Sequence, residues 1–259
     1  MAKGWAKFPY ADGKYVHTAA TLKKAWGRLH LGDQEPQPKD AAAVDAWIAF
    51  HAGDFERAAK AGLAAGGAGI TVANKATAIY ANYLEDDEKR KLALFEEVAS
   101  RAEKQQAAEP GNANAFYWQA YALGRYAQGI SIAKALAQGI GGKVKVALEK
   151  AIRLSPKHAD AHVALAAYHA EVIDKVGSMI GGLTYGAKKD TALKLYETAL
   201  KLVPASAIAR IEYANGLVML EGKKGLAKAE ALYAEAAACE PLDAMERLDV
   251  ELARTELED

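Results

Sequence analysis

A single cysteine, Cys239, stands in 259 residues. No disulfide can therefore close within the chain, and a Cys-based zinc or iron–sulfur site is excluded. Net charge is missing as well: 33 basic and 33 acidic side chains cancel, leaving no global electrostatic footprint for nucleic acid or for an anionic membrane surface. Long apolar runs are absent. The most weakly charged stretch, 113–140, is interrupted by Arg125, Gln128, Lys134 and several glycines, so no membrane span is expected. The first ten residues carry basic side chains but no apolar stretch behind them, unlike a secretory leader. A cytoplasmic protein is the expectation. No Gly-x-Ser-x-Gly elbow occurs, and Cys239 has no histidine close to it in sequence, so neither familiar nucleophile arrangement is present.

Proline is scarce, with 7 in the chain, and four of them fall at a rough period: Pro110, Pro156, Pro204 and Pro241. Each follows a stretch in which small or apolar residues recur at three- and four-residue steps, as in Ala147, Leu148, Ala151, Leu154 and in Ala192, Leu195, Tyr196, Ala199. That is one stripe of an amphipathic helix, and the proline ends it. Cap-forming residues follow three of the prolines: Asn112, Asp160 and Ser206. The repeating unit is helix A, turn, helix B, proline.

Helix pairs closing on Ala151-x-x-Leu154-Ser155-Pro156 and Ala199-x-x-Leu202-Val203-Pro204 resemble tetratricopeptide (TPR) repeats. So does Gly53-Asp54-Phe55-Glu56-Arg57-Ala58 after Trp47-Ile48-Ala49-Phe50. The resemblance implies an all-α, right-handed α-solenoid of antiparallel helix pairs spanning residues 40–245. An N-terminal extension (1–39) with one amphipathic helix and a linker would precede it, and a C-terminal capping helix (246–259) would close a single compact unit. Successive prolines are 46, 48 and 37 residues apart, against a usual repeat of about 34. The surplus lies between helices A and B, at 125–142 and 171–187, and each insertion holds an Ile-Gly-Gly (Ile140-Gly141-Gly142 and Ile180-Gly181-Gly182). This predicts elongated A helices with a glycine bend before helix B. Repeats enlarged in this way are similar to the T-component of tripartite periplasmic (TRAP) transport systems and to the regulator of microtubule dynamics family.

Three side-chain groupings invite chemistry. His158, His162 and His169 stand at i, i+4 and i+11, so one helix could aim them along a face toward a metal. No glutamate lies between the first two, and packing of helix A against its partner is the favoured account of them. The glycines from Gly62 to Gly69 and at 139–142 suggest a phosphate loop, but Lys143 is followed by Val144 and no strand precedes either segment. Both read as inter-helix turns. Asp86-Asp87-Glu88 before Lys89-Arg90-Lys91 reads as a solvated helix start. No cofactor is called for.

In TPR arrays one face of helix A lines a groove. Carried onto this sequence, that face holds Asn114, Tyr117, Tyr121 and Arg125, then Asp160 and Glu171, then Asn215, with Asn74, Lys75 and Asn82 as a possible extension. Tyr and Arg give contact area and hydrogen bonds at low entropic cost. The alternative is that Tyr117 and Tyr121 only pack the helices together. The expected function is non-catalytic binding of a protein or peptide partner. A small-ligand accessory of a transport system is the alternative, and a metal enzyme using the histidine stripe a third.

Overall fold

The computed structural model describes residues 4–10 and 13–258. Among them there are helices and turns and no strand. Contacts divide the chain into two compact units, a division the sequence did not suggest.

Unit 1 (Met1–His30, Glu35–Leu154, Leu242–Met245) contains α1 (Ala19–Leu29), α2 (Ala41–His51), α3 (Phe55–Ala65), α4 (Gly69–Tyr83), α5 (Glu88–Ala108), α6 (Ala113–Gln128), α7 (Ile132–Ala137) and α8 (Ile140–Leu154). α2 packs on α3, α4 on α5 and α6 on α8, while α4 also lies against α2 and α6. Those contacts are the A–B and A–A neighbours of TPR-like repeats. The N-caps follow the sequence: Thr18, Asp40, Asp54, Asp87 and Asn112 each accept a backbone N–H from the first turn of their helix, an interaction worth about 1 kcal/mol apiece.

The Gly62–Gly69 segment has a packing reason. A Cβ on Gly62 would sit 2.5 Å from the carbonyl oxygen of Gly69, and one on Gly69 would sit 2.4 Å from that of Gly62. α3 and α4 approach through bare backbone at this point, which no larger residue permits. α4 and α5 are joined differently, by a buried polar network. Asn74 Nδ2 donates to Gln105 Oε1 (3.2 Å), Arg101 Nε to Asn74 Oδ1 (2.6 Å), and Gln105 Nε2 to Thr71 Oγ1 (3.0 Å).

Unit 2 (Leu31–Gln34, Ser155–Pro241, Glu246–Asp259) contains α9 (Ala159–Val176), α10 (Ser178–Tyr185), α11 (Lys189–Leu202), α12 (Ala207–Glu221), α13 (Leu226–Ala237) and most of α14 (Ala244–Glu258). Here α9 pairs with α11 and α12 with α13. Alanines 166, 192, 199, 214 and 229 keep the helices close around a stacked pair of rings, Tyr196 on Tyr213, 4.9 Å between centroids. Ile211, Ala236, Val250 and Ala253 attach α14.

Two local expectations are corrected. The cap of α9 is His158, whose Nδ1 accepts the Ala161 N–H at 3.1 Å, while Asp160 lies in the first helical turn. The Ile-Gly-Gly triplets are not the bends. Ile140-Gly141-Gly142 opens α8, and Ile180-Gly181-Gly182 lies within α10. The chain turns instead at Gly139 (φ +63°), Gly177 (φ +80°) and Gly186 (φ +64°), one residue type suited to the left-handed region. The A helices of the enlarged repeats, α6 and α9, run 16 and 18 residues against 11 for α2 and 15 for α4 and α12. The remaining inserted residues form the short helices α7 and α10.

Candidate functional site

The A helices of unit 1 bring together side chains from distant parts of the sequence. Lys75 on α4 is buried, its ammonium 5.7 Å from the Trp47 ring centroid and 5.2 Å from that of Phe50, both on α2. A buried cation is stabilised by such ring faces. One turn along α2, His51 stacks on Trp47 (5.7 Å, 24°) and its Nδ1 meets Asp243 Oδ2 at 2.7 Å. His51 is wholly buried, and its Nε2 has no hydrogen-bond partner. From α1, Trp26 stacks on His30 (4.0 Å), which in turn lies edge-on to Trp47 and His51. His17 lies 6.2 Å from His51 between ring centroids. Its pKa falls below the ordinary histidine value, chiefly because burial disfavours the imidazolium and further through repulsion from His51, with Asp243 opposing.

Beside this aromatic box runs a non-helical segment, 35–39, carrying Pro36 and Pro38. Trp26 Nε1 donates to the Glu35 carbonyl oxygen at 2.8 Å, and Asn114 Nδ2 on α6 donates to Glu35 Oε2 at 2.6 Å. Gln34 just before it holds a left-handed φ of +51°, a conformation costly for a residue with a side chain.

The residues expected to line a groove are thus placed unequally. On α6, Asn114 is buried against Glu35. Tyr117 is buried edge-on to Trp118, Tyr121 is half-buried, and the Arg125 guanidinium lies 5.4 Å over the Tyr121 ring. These four share one helix, and Tyr121 with Arg125 forms its accessible end. In unit 2, Asp160 and Glu171 lie on α9. The carboxylate of Asp160 stands where a side chain on Gly32 would go, and Glu171 lies 3.8 Å from Lys175. Asn215 turns toward its own helix B, accepting from Tyr233 Oη at 2.6 Å. Asn74 likewise faces α5.

The histidine stripe serves the backbone. Beyond the His158 cap, His162 Nε2 meets the Pro156 carbonyl oxygen at 3.0 Å, and His169 Nδ1 accepts the Lys188 N–H at 3.2 Å. Among the described residues no group of three or more His, Cys, Asp or Glu side chains is placed to hold a metal ion. Sequence reading missed Glu35, His51 and Asp243. The run Trp47-Ile48-Ala49-Phe50-His51 advertised a buried helix, but nothing local connects it to a carboxylate 192 positions away.

Residues 71–206 match the family described as regulator of microtubule dynamics protein 1-3, more than half of the chain. The chain belongs to that family. The matched span runs from the first turn of α4 to the N-cap of α12, so the family region contains three helix pairs and both insertions. Of the two relatives suggested by the enlarged repeats, the regulator of microtubule dynamics family is the one the match bears out. A solved structure, that of a thermophilic TPR protein from Thermus thermophilus, is similar at TM-score 0.57 and 16% identity, covering 83% of this chain and 97% of that one. This likeness shows a TPR-like fold for the family member and no more. No curated protein matches the sequence.

Proposed function

We propose that this member of the regulator of microtubule dynamics family is a non-catalytic scaffold that recognises a protein partner through the A-helix side of its repeats. The observation that carries the reading is the Glu35–Asn114 bond. A non-helical, proline-bearing segment of the chain accepts side-chain hydrogen bonds from Asn114 on α6 and from Trp26 on α1. A surface that accommodates extended chain in this way suits the recognition of another extended segment. Further along α6, the half-buried Tyr121 ring under the Arg125 guanidinium offers the combination that dominates protein contacts. The His51–Asp243 pair does not argue for catalysis, because the Nε2 atom that would have to reach a substrate is buried. The family description makes polymerised tubulin the first partner to test.

Co-sedimentation with microtubules, comparing the natural chain with Y121A/R125E, is the experiment. Saturable binding weakened at least about ten-fold in the double variant is expected for loss of two anchor residues. Equal binding by the two proteins would remove the A-helix side of α6 from the proposal. No binding by either would remove tubulin.

A further inference from the structure

Overall neutrality conceals an uneven distribution of charge. Between Asp12 and Asp33 there is no acidic residue, while Lys14, Lys23, Lys24 and Arg28 all fall there. Lys23, Lys24 and Arg28 are exposed on α1 and form no ion pair among the described residues.

α1 is also one wall of a cleft of about 480 Å³. Leu22 and Trp26 of α1, Pro38, and Val44 of α2 make the cleft apolar, and the charged groups in its lining are Lys23 and Lys39, with no acid. The Trp26 indole N–H is committed to the Glu35 carbonyl oxygen at 2.8 Å, so only the ring faces the cleft. Pro36 and Pro38 restrict the backbone of the opposite wall. Lys39 is exposed and also forms no ion pair among the described residues; Asp40 beside it caps α2, accepting the Ala43 N–H at 2.9 Å. An apolar cleft between two unpaired ammonium groups is complementary to an apolar side chain flanked by carboxylates.

The chain carries such a group on α14. Val250 and Ala253 are fully buried where that helix attaches, and Leu257 continues their stripe one turn further. There the stripe leaves the core, and Leu257 is 46% exposed. Among the large apolar side chains exposed on the described residues, it alone stands between two acids, Glu256 and Glu258. Both are exposed and form no ion pair among the described residues. The nearest base in sequence, Arg254, is held by Glu251 at 2.6 Å.

We propose that residues 256–258 of one copy of the chain dock in the α1 cleft of a second copy. Leu257 enters between Lys23 and Lys39, and Glu256 and Glu258, about 100° to either side of it on the helix, meet the two ammonium groups. The contact joins two different surfaces, so it is heterologous: each copy offers one cleft and one acidic turn. It uses none of the α6 residues invoked above. Its area is far below that of a standard interface, and a dissociation constant on the order of 10–100 µM is expected.

The test is sedimentation velocity of the full chain across that concentration range, at low and high salt. The weight-average sedimentation coefficient should rise with concentration, and high salt should weaken the association by about ten-fold. L257S, K23E/K39E and E256K/E258K should each weaken it at least about ten-fold. Their thermal melting, followed by circular dichroism, should stay unchanged, because all these side chains lie outside the core. The decisive sample is an equimolar mixture of K23E/K39E with E256K/E258K. Each variant alone sets like charges against each other, whereas the mixture restores one natural and one charge-reversed contact, so it should associate when neither variant does. A chain that stays monomeric throughout would overturn the proposal. So would self-association that the substitutions leave intact, or a mixture no more associated than its two components.

Discussion

The aromatic box of unit 1 and the α10 insertion of unit 2 depart from a plain helical repeat in opposite directions. The box takes polar groups out of water: His51, Asp243, Lys75, Glu35 and Asn114 are all buried. The insertion leaves apolar groups in water: Met179, Ile180 and Leu183. Burying a polar group costs free energy unless it is paired, whereas exposing a large apolar one forgoes the stabilisation that burial gives. The box therefore holds its interactions within the chain, and removing any one of them should be felt in stability. The insertion leaves these side chains outside the core, so little stability should rest on them. Which departures stabilise a repeat protein and which do not can be separated by that test.

The largest effect should come from D243A. It leaves His51 buried without its partner, and a loss of about 2–3 kcal/mol in urea unfolding is expected. A loss under about 0.5 kcal/mol would show that the box is not held as described. N114A, which removes the buried Asn114–Glu35 hydrogen bond, should cost about 1–2 kcal/mol by the same measurement.

The pH dependence of His17 comes next in size. Its folded pKa lies below the unfolded value, so the neutral imidazole is favoured on folding. That contribution is fully present above the unfolded pKa of about 6.5 and is lost as pH falls through that value toward the depressed folded one. H17Q should flatten the decline in melting temperature on acidification through that window, with an unchanged plateau above it. The smallest effect belongs to M179S/L183S, within about 0.5 kcal/mol of the natural chain. A larger loss would mean that α10 is part of the core and would erase the contrast.

Much of the fold was legible because its signals are local. Prolines 110, 156, 204 and 241 each follow a helix B, and Asn112 and Ser206 cap the helices they were expected to cap. The enlarged repeats were found from spacing alone. What failed were inferences requiring a choice between local alternatives. Gly-Gly after Ile is compatible with a bend or with the first turn of a helix, and single positive-φ glycines did the turning instead. The candidate site was legible in part. Asn114, Tyr117, Tyr121 and Arg125 do share α6, but Asn215 points to α13 because Tyr233 supplies a donor there. His51 with Asp243, and Glu35 with Asn114, depend on chain segments meeting across long separations, for which one sequence carries no periodic signal.

The His51–Asp243 bond spans 192 positions, and unit 1 is completed by Leu242–Met245 only after the chain has passed through most of unit 2. On a ribosome, this leaves α1 and α2 unfinished long after they have emerged. Their box must wait, with His51 unpartnered, until Asp243 has been synthesised. Closing so long a loop is entropically only modestly dearer than closing a short one, but it is slow and late. A stop codon just before Leu242 would thus be felt in the box around His51, 192 positions upstream of the missing Asp243.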